Sequence, residues 1–73
     1  MDELEAAVRV LEEEGEPLHW TVIQDLALKR GYLDPFTRKD IRRRLIAALA
    51  DAAKRPDHQI RKAGKGVYTL GER

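Results

Sequence analysis

The chain has no cysteine, which excludes a disulfide framework, a thiolate metal site and a cysteine nucleophile. It has only two histidines, His19 and His58, with no third ligand at metal-binding spacing, so no metal or cofactor is expected. No apolar run approaches the roughly 18 residues of a membrane span, and the acidic start is unlike a signal peptide. Internal repeats and low-complexity segments are lacking too. No nucleophile–base arrangement or converging carboxylate pair can be drawn, because Glu12, Glu13, Glu14 and Glu16 are neighbouring surface acids. The expectation is a non-enzymatic, soluble, cytoplasmic domain. With 73 residues it has a small core, burying only about 60% of its unfolded surface.

What the chain does have is charge, unevenly placed. Residues 1–16 carry seven acids against Arg9, a net −6. Residues 17–37 balance at zero, and residues 38–73 carry eleven Lys and Arg against four acids, a net +7. Such polarity points to an anionic partner for the second half. The alternative is pairing of the two ends with each other, within one chain or between two.

The first helix is expected to open on Asp2, with Glu5 in its first turn, and to bury Leu4, Ala7, Val8 and Leu11 at i, i+3, i+4, i+7 spacing. Gly15 is its natural stop. Pro17-Leu18-His19-Trp20 is too short for a helix and reads as an extended bridge or one short strand, with Trp20 a core or bridge residue. Thr21 and Gln24 resemble a capping box for a second helix, Val22 to Arg30, that buries Ile23, Leu26 and Ala27 and ends at Gly31. Pro35 blocks helical continuation through Asp34.

A third helix is expected over 37–54, with Thr37 as N-cap, Asp40 three residues on, and Phe36 stapled onto Ile41. Ile41, Leu45, Ala48, Leu49 and Ala52 share an arc of about 100°, the width of a core-facing stripe. Basic residues crowd its first two turns. There the helix dipole disfavours each cation by roughly 0.3–1 kcal/mol, so helix stability does not account for them. Asp40 can pair with Arg43 or Arg44, and Asp51 with Arg55. Lys39 and Arg42 have no acid at helical spacing. After Arg55-Pro56-Asp57, residues 58–63 and 67–70 read as a hairpin around Gly64-Lys65-Gly66, with Ile60, Tyr68 and Leu70 facing the core. Gln59, Arg61 and Lys65 then face solvent or a partner.

These elements predict a mainly α fold with a small β-hairpin, a three-helix winged helix-turn-helix whose third helix enters the major groove. The run Glu14-Gly15-Glu16-Pro17-Leu18-His19-Trp20-x-x-Ile23, then Leu26-Ala27-Leu28-x-x-Gly31, then Ile60-x-Lys62-x-Gly64-x-Gly66-x-Tyr68-x-Leu70 resembles the HARE-HTH domain. That winged helix stands at the N-terminus of the bacterial RNA polymerase delta subunit. It is also fused to restriction endonucleases, DNA glycosylases and chromatin proteins of the Asx-like group. The resemblance covers nearly the whole chain and implies an accessory module that binds DNA or a transcription complex. Ile60 departs from the aromatic usual in the family, and the Tyr32–Phe36 connection is short. The third helix begins more basic than expected of the delta-subunit domain, which favours nucleic acid over polymerase docking.

The expected function is therefore duplex DNA binding by residues 37–54 and the wing at 58–70, through Arg38, Lys39, Arg42, Arg43, Arg44, Arg61 and Lys65. Docking on RNA polymerase or another effector is the competing expectation. Residues 1–73 are read as a single domain, the N-terminal module of a longer protein, with no membrane partner.

Overall fold

The computed structural model describes residues 2–34, 36 and 40–71. Its elements run α1 (Glu3–Glu14), β1 (Leu18–His19), α2 (Trp20–Lys29), α3 (Ile41–Lys54), β2 (Ile60–Gly64) and β3 (Val67–Leu70). The mainly α, winged arrangement is as expected, with one addition. The hairpin is joined by β1, making a three-stranded antiparallel sheet in the order β1-β3-β2.

In α1 the Asp2 Oδ1 accepts the Glu5 N–H at 2.8 Å, filling an orphan donor of the first turn. Gly15, at φ 67°, turns the chain out of the helix while its N–H donates to the Leu11 carbonyl. The buried stripe is rotated from the expected one: Ala6, Ala7, Val10 and Leu11 are buried, whereas Leu4 and Val8 are half-buried. The reason is that α1 packs on both α2 and α3. The small side chains of Ala6 and Ala7 let those helices come close, and the larger Leu4 and Val8 cover the edge.

The second helix also begins elsewhere. It runs Trp20–Lys29, two residues ahead of the expected start, and its N-cap is His19. Pairing of Leu18 with Tyr68 and His19 with Val67 holds His19 extended. That places its Nδ1 where the Thr21 N–H donates to it, at 3.2 Å, and the Thr21 hydroxyl lies 2.8 Å from the same nitrogen. The Thr21–Gln24 capping box is therefore not formed, and Gln24 Oε1 is buried with no hydrogen-bond partner among the described residues. Ile23 and Ala27 are buried and Leu26 only half so. Gly31, at φ 77°, closes the helix as expected.

The third helix starts at Ile41, not after Thr37. Asp40 sits at φ 58°, ψ 38°, a left-handed backbone through which a right-handed helix cannot run, and its side chain makes no cap bond. Phe36 is 95% exposed, so the Phe36–Ile41 staple is absent. With the helix beginning at Ile41, Phe36 no longer occupies the position before the cap. Thr37 and Pro35 lie outside the described residues. Leu45, Leu49 and Ala52 are buried and Ile41 and Ala48 half-buried, the expected stripe. A two-stranded hairpin is marginal alone. Here Ile60 is fully buried and Tyr68 nearly so against the helices, each such side chain contributing roughly 1.5–3 kcal/mol.

Candidate nucleic-acid interface

The Asp40 side chain makes no cap bond to the first turn of α3, and that turn carries Arg42, Arg43 and Arg44, all exposed. A helix start with cations beside it attracts an anion from two sources, the amide dipoles and the guanidinium charges. Among the described residues none of the three has an acidic partner: Asp51 pairs with Arg55 at 2.7 Å, and Asp40 pairs with neither Arg43 nor Arg44. Farther along the outer face, Ile46, Ala47 and Ala50 continue from Arg42 and Arg43 as the floor of a shallow groove. Small residues there let the helix axis approach a surface closely.

The Arg42 guanidinium carbon lies 5.1 Å from the centroid of the Trp20 ring, within cation–π range. Trp20 is half-buried at the head of α2 and packs against the core. Its backbone N–H donates to the Gly66 carbonyl at 2.9 Å, tying α2 to the wing. The turn between β2 and β3 is only Lys65-Gly66, and it needs the positive φ of Gly66, 71°. Lys65 is exposed beside it.

Of the expected site residues, Arg42 lies over the Trp20 ring, and Lys65 adjoins Gly66, whose carbonyl accepts from the Trp20 N–H. Arg38 and Lys39 lie outside the described residues. Arg61 is placed differently from the rest. Its guanidinium donates to the carbonyls of His58, Ile60 and Pro56, and its stem lies beside Gly71. It holds the turn ahead of β2 against the sheet. Trp20 has a larger part than its sequence position indicated. Its one legible signal was its place in the bridge between two elements.

Two of the acids of α1, Glu13 and Glu14, are engaged by residues outside α3. Arg30 donates to Glu13 and Glu14, both at 2.7 Å, and the Tyr32 hydroxyl donates to Glu13. Arg9 lies 5.9 Å from the Tyr32 ring centroid. The Tyr32 hydrogen bond, then Arg30, hold the Glu13 carboxyl below its ordinary range, and the same bond raises the Tyr32 hydroxyl. These contacts belong to α1, α2 and the following loop, not to the arginines of α3. Among the described residues no cluster of His, Asp or Glu could hold a metal ion, and no helix is long and apolar enough to cross a membrane.

Three helices, a sheet-borne turn and an exposed basic start to the last helix define a winged helix-turn-helix module. The chain belongs to the HARE-HTH family: residues 1–72 match the family model whose description names ASXL and restriction endonucleases as bearers of this HTH domain. The family is one of helix-turn-helix domains generally associated with DNA binding. No curated protein and no solved structure matches the chain.

Proposed function

We propose that this domain grips duplex DNA, with the start of α3 in or across the major groove and Lys65 on a flanking phosphate, as an accessory module of a DNA-processing or transcription protein. The observation that carries the reading is the first turn of α3, which Asp40 does not cap and whose three exposed arginines make no ion pair among the described residues. Such a turn works against the helix's own dipole unless a polyanion lies across it. The engagement of Glu13 and Glu14 by Arg30 supports this, since it removes those acids as internal partners for α3. Arg38 and Lys39, which precede this turn in sequence, are proposed as further contacts. Arg61 is assigned to the fold.

Fluorescence anisotropy with duplex DNA across a salt series tests the reading. Neutralising about four to six phosphates gives a slope of log K against log salt of about −4 to −5. A flat response, or no binding at low salt, overturns it. Docking on a protein such as RNA polymerase or a fused effector is the competing reading, favoured by the exposed Phe36. It would leave DNA affinity weak while Phe36→Ser impairs capture of the partner.

A further inference from the structure

We propose that Trp20 is the positioning residue of this interface, its indole holding the Arg42 guanidinium and the Lys65-Gly66 turn in one arrangement before DNA arrives. The inference rests on the DNA reading above and adds to it a residue with no charge of its own. Packing against the core accounts for the buried part of Trp20, but not for a guanidinium lying 5.1 Å from its ring centroid.

A free arginine samples many rotamers and loses that freedom on binding. Stacked on an aromatic ring, it has given up part of the freedom already, while the N–H donors around the guanidinium edge still point outward. Arg42 has no carboxylate partner among the described residues, so the ring is the contact that restrains it. On the other side, the wing turn abuts the same residue. A methyl group at Gly66 would stand 2.8 Å from His19 Nε2 and 3.2 Å from Trp20 Cδ1. The Trp20 N–H also binds the Gly66 carbonyl. One residue thus touches the only two described basic elements proposed to flank the DNA.

Trp20 is the sole tryptophan, so its emission reports on the pair directly. In DNA-free protein Arg42→Gln should change the tryptophan emission, and Arg43→Gln should not. With duplex DNA, Trp20→Leu should weaken binding about threefold to tenfold. The same change in an Arg42→Gln background should cost less than about twofold, because the group it positions is gone. Trp20→Phe, which keeps an aromatic face, should restore part of the affinity. If Trp20→Leu does not fold, the cycle is run with Trp20→Phe. Unaltered emission in Arg42→Gln, or equal losses in both backgrounds, overturns the positioning role while leaving DNA binding intact. No DNA binding by the wild type overturns both, and an emission change then marks the Arg42–Trp20 pair as structural only.

Discussion

Arg30 donates to the Glu13 carboxylate at 2.7 Å across seventeen positions of sequence, tying the C-terminal ends of α1 and α2 together. The Tyr32 hydroxyl donates to the same carboxylate. Glu13 is thereby held below its ordinary value of 4.5, chiefly by Tyr32 and then by Arg30. A depressed folded-state carboxyl contributes stability that is present above the unfolded value and lost as pH falls through the folded one. The urea midpoint should therefore drop below about pH 4.5, and Glu13→Gln should lower the neutral-pH midpoint while flattening that acid limb. On the alkaline side the raised Tyr32 contributes below pH 10.0 and is lost as pH rises through its folded value. Tyr32→Phe should abolish that alkaline limb. Identical acid limbs in wild type and Glu13→Gln would assign the acid transition to other carboxylates.

Gln24 offers a test of the opposite sign. Its Oε1 is buried without a partner among the described residues, and an unmet buried acceptor costs about 1–3 kcal/mol. Gln24→Met, of similar length, should raise the melting temperature. A lower melting temperature would mean that the amide is satisfied in solution.

Arg43 should be dispensable for folding and needed for binding. It is exposed, lies in the first turn of α3 and has no acid partner among the described residues. Arg43→Gln should leave stability unchanged or raise it by about 0.3–1 kcal/mol. On a preferred duplex it should cost ~1–3 kcal/mol of affinity, and less on others. Lys65→Ala, in a turn that fixes no side-chain geometry, should instead weaken all duplexes about equally and reduce the salt slope by about 1. Site selection on random duplexes with both variants distinguishes reading from gripping. Loss of stability in Arg43→Gln would make that arginine structural.

Two glycines with nearly the same backbone should behave differently. Gly15 and Gly66 have φ of 67° and 71°, but a Cβ at Gly15 meets nothing within 4 Å, whereas one at Gly66 runs into His19 and Trp20. Alanine at either position bears the left-handed cost of roughly 1–2 kcal/mol. Gly66→Ala should lose more, and should lose DNA affinity as well. Equal melting temperatures would show that the wing moves aside at no cost.

The inward stripe of α3 was legible in sequence because Leu45, Leu49 and Ala52 recur at helical spacing against a charged outer face. The wing was legible from its glycines and the alternation of Ile60, Tyr68 and Leu70. In α1 the apolar arc is wide enough to fit two stripes. The choice between Leu4–Val8 and Ala6–Val10 depends on which neighbours pack there, and tertiary contact alone settles that. The cap of α2 was hidden because Thr21-x-x-Gln24 fits a common local pattern. What displaces it is His19, set in place by a strand pair whose other half is Val67. Likewise Arg61 looks solvent-facing by alternation, yet its long stem lets the guanidinium fold back onto carbonyls. Long-range pairing and side-chain reach are not contained in periodicity.

The central position of β3 sets a schedule for the growing chain on the ribosome. Leu18 and Ile60 are both registered on β3, to Tyr68 and Leu70 respectively, and Trp20 takes its backbone partner from Gly66. A nascent chain halted before Val67 has synthesised every proposed DNA-contacting residue but has nothing to align them. The helices can associate early through nearby contacts, whereas the sheet must wait for a strand encoded some fifty positions after β1. Competence to hold DNA would then arrive in a single step, when β3 clears the exit tunnel. Until that step the arginines of α3 are present on an unfinished surface.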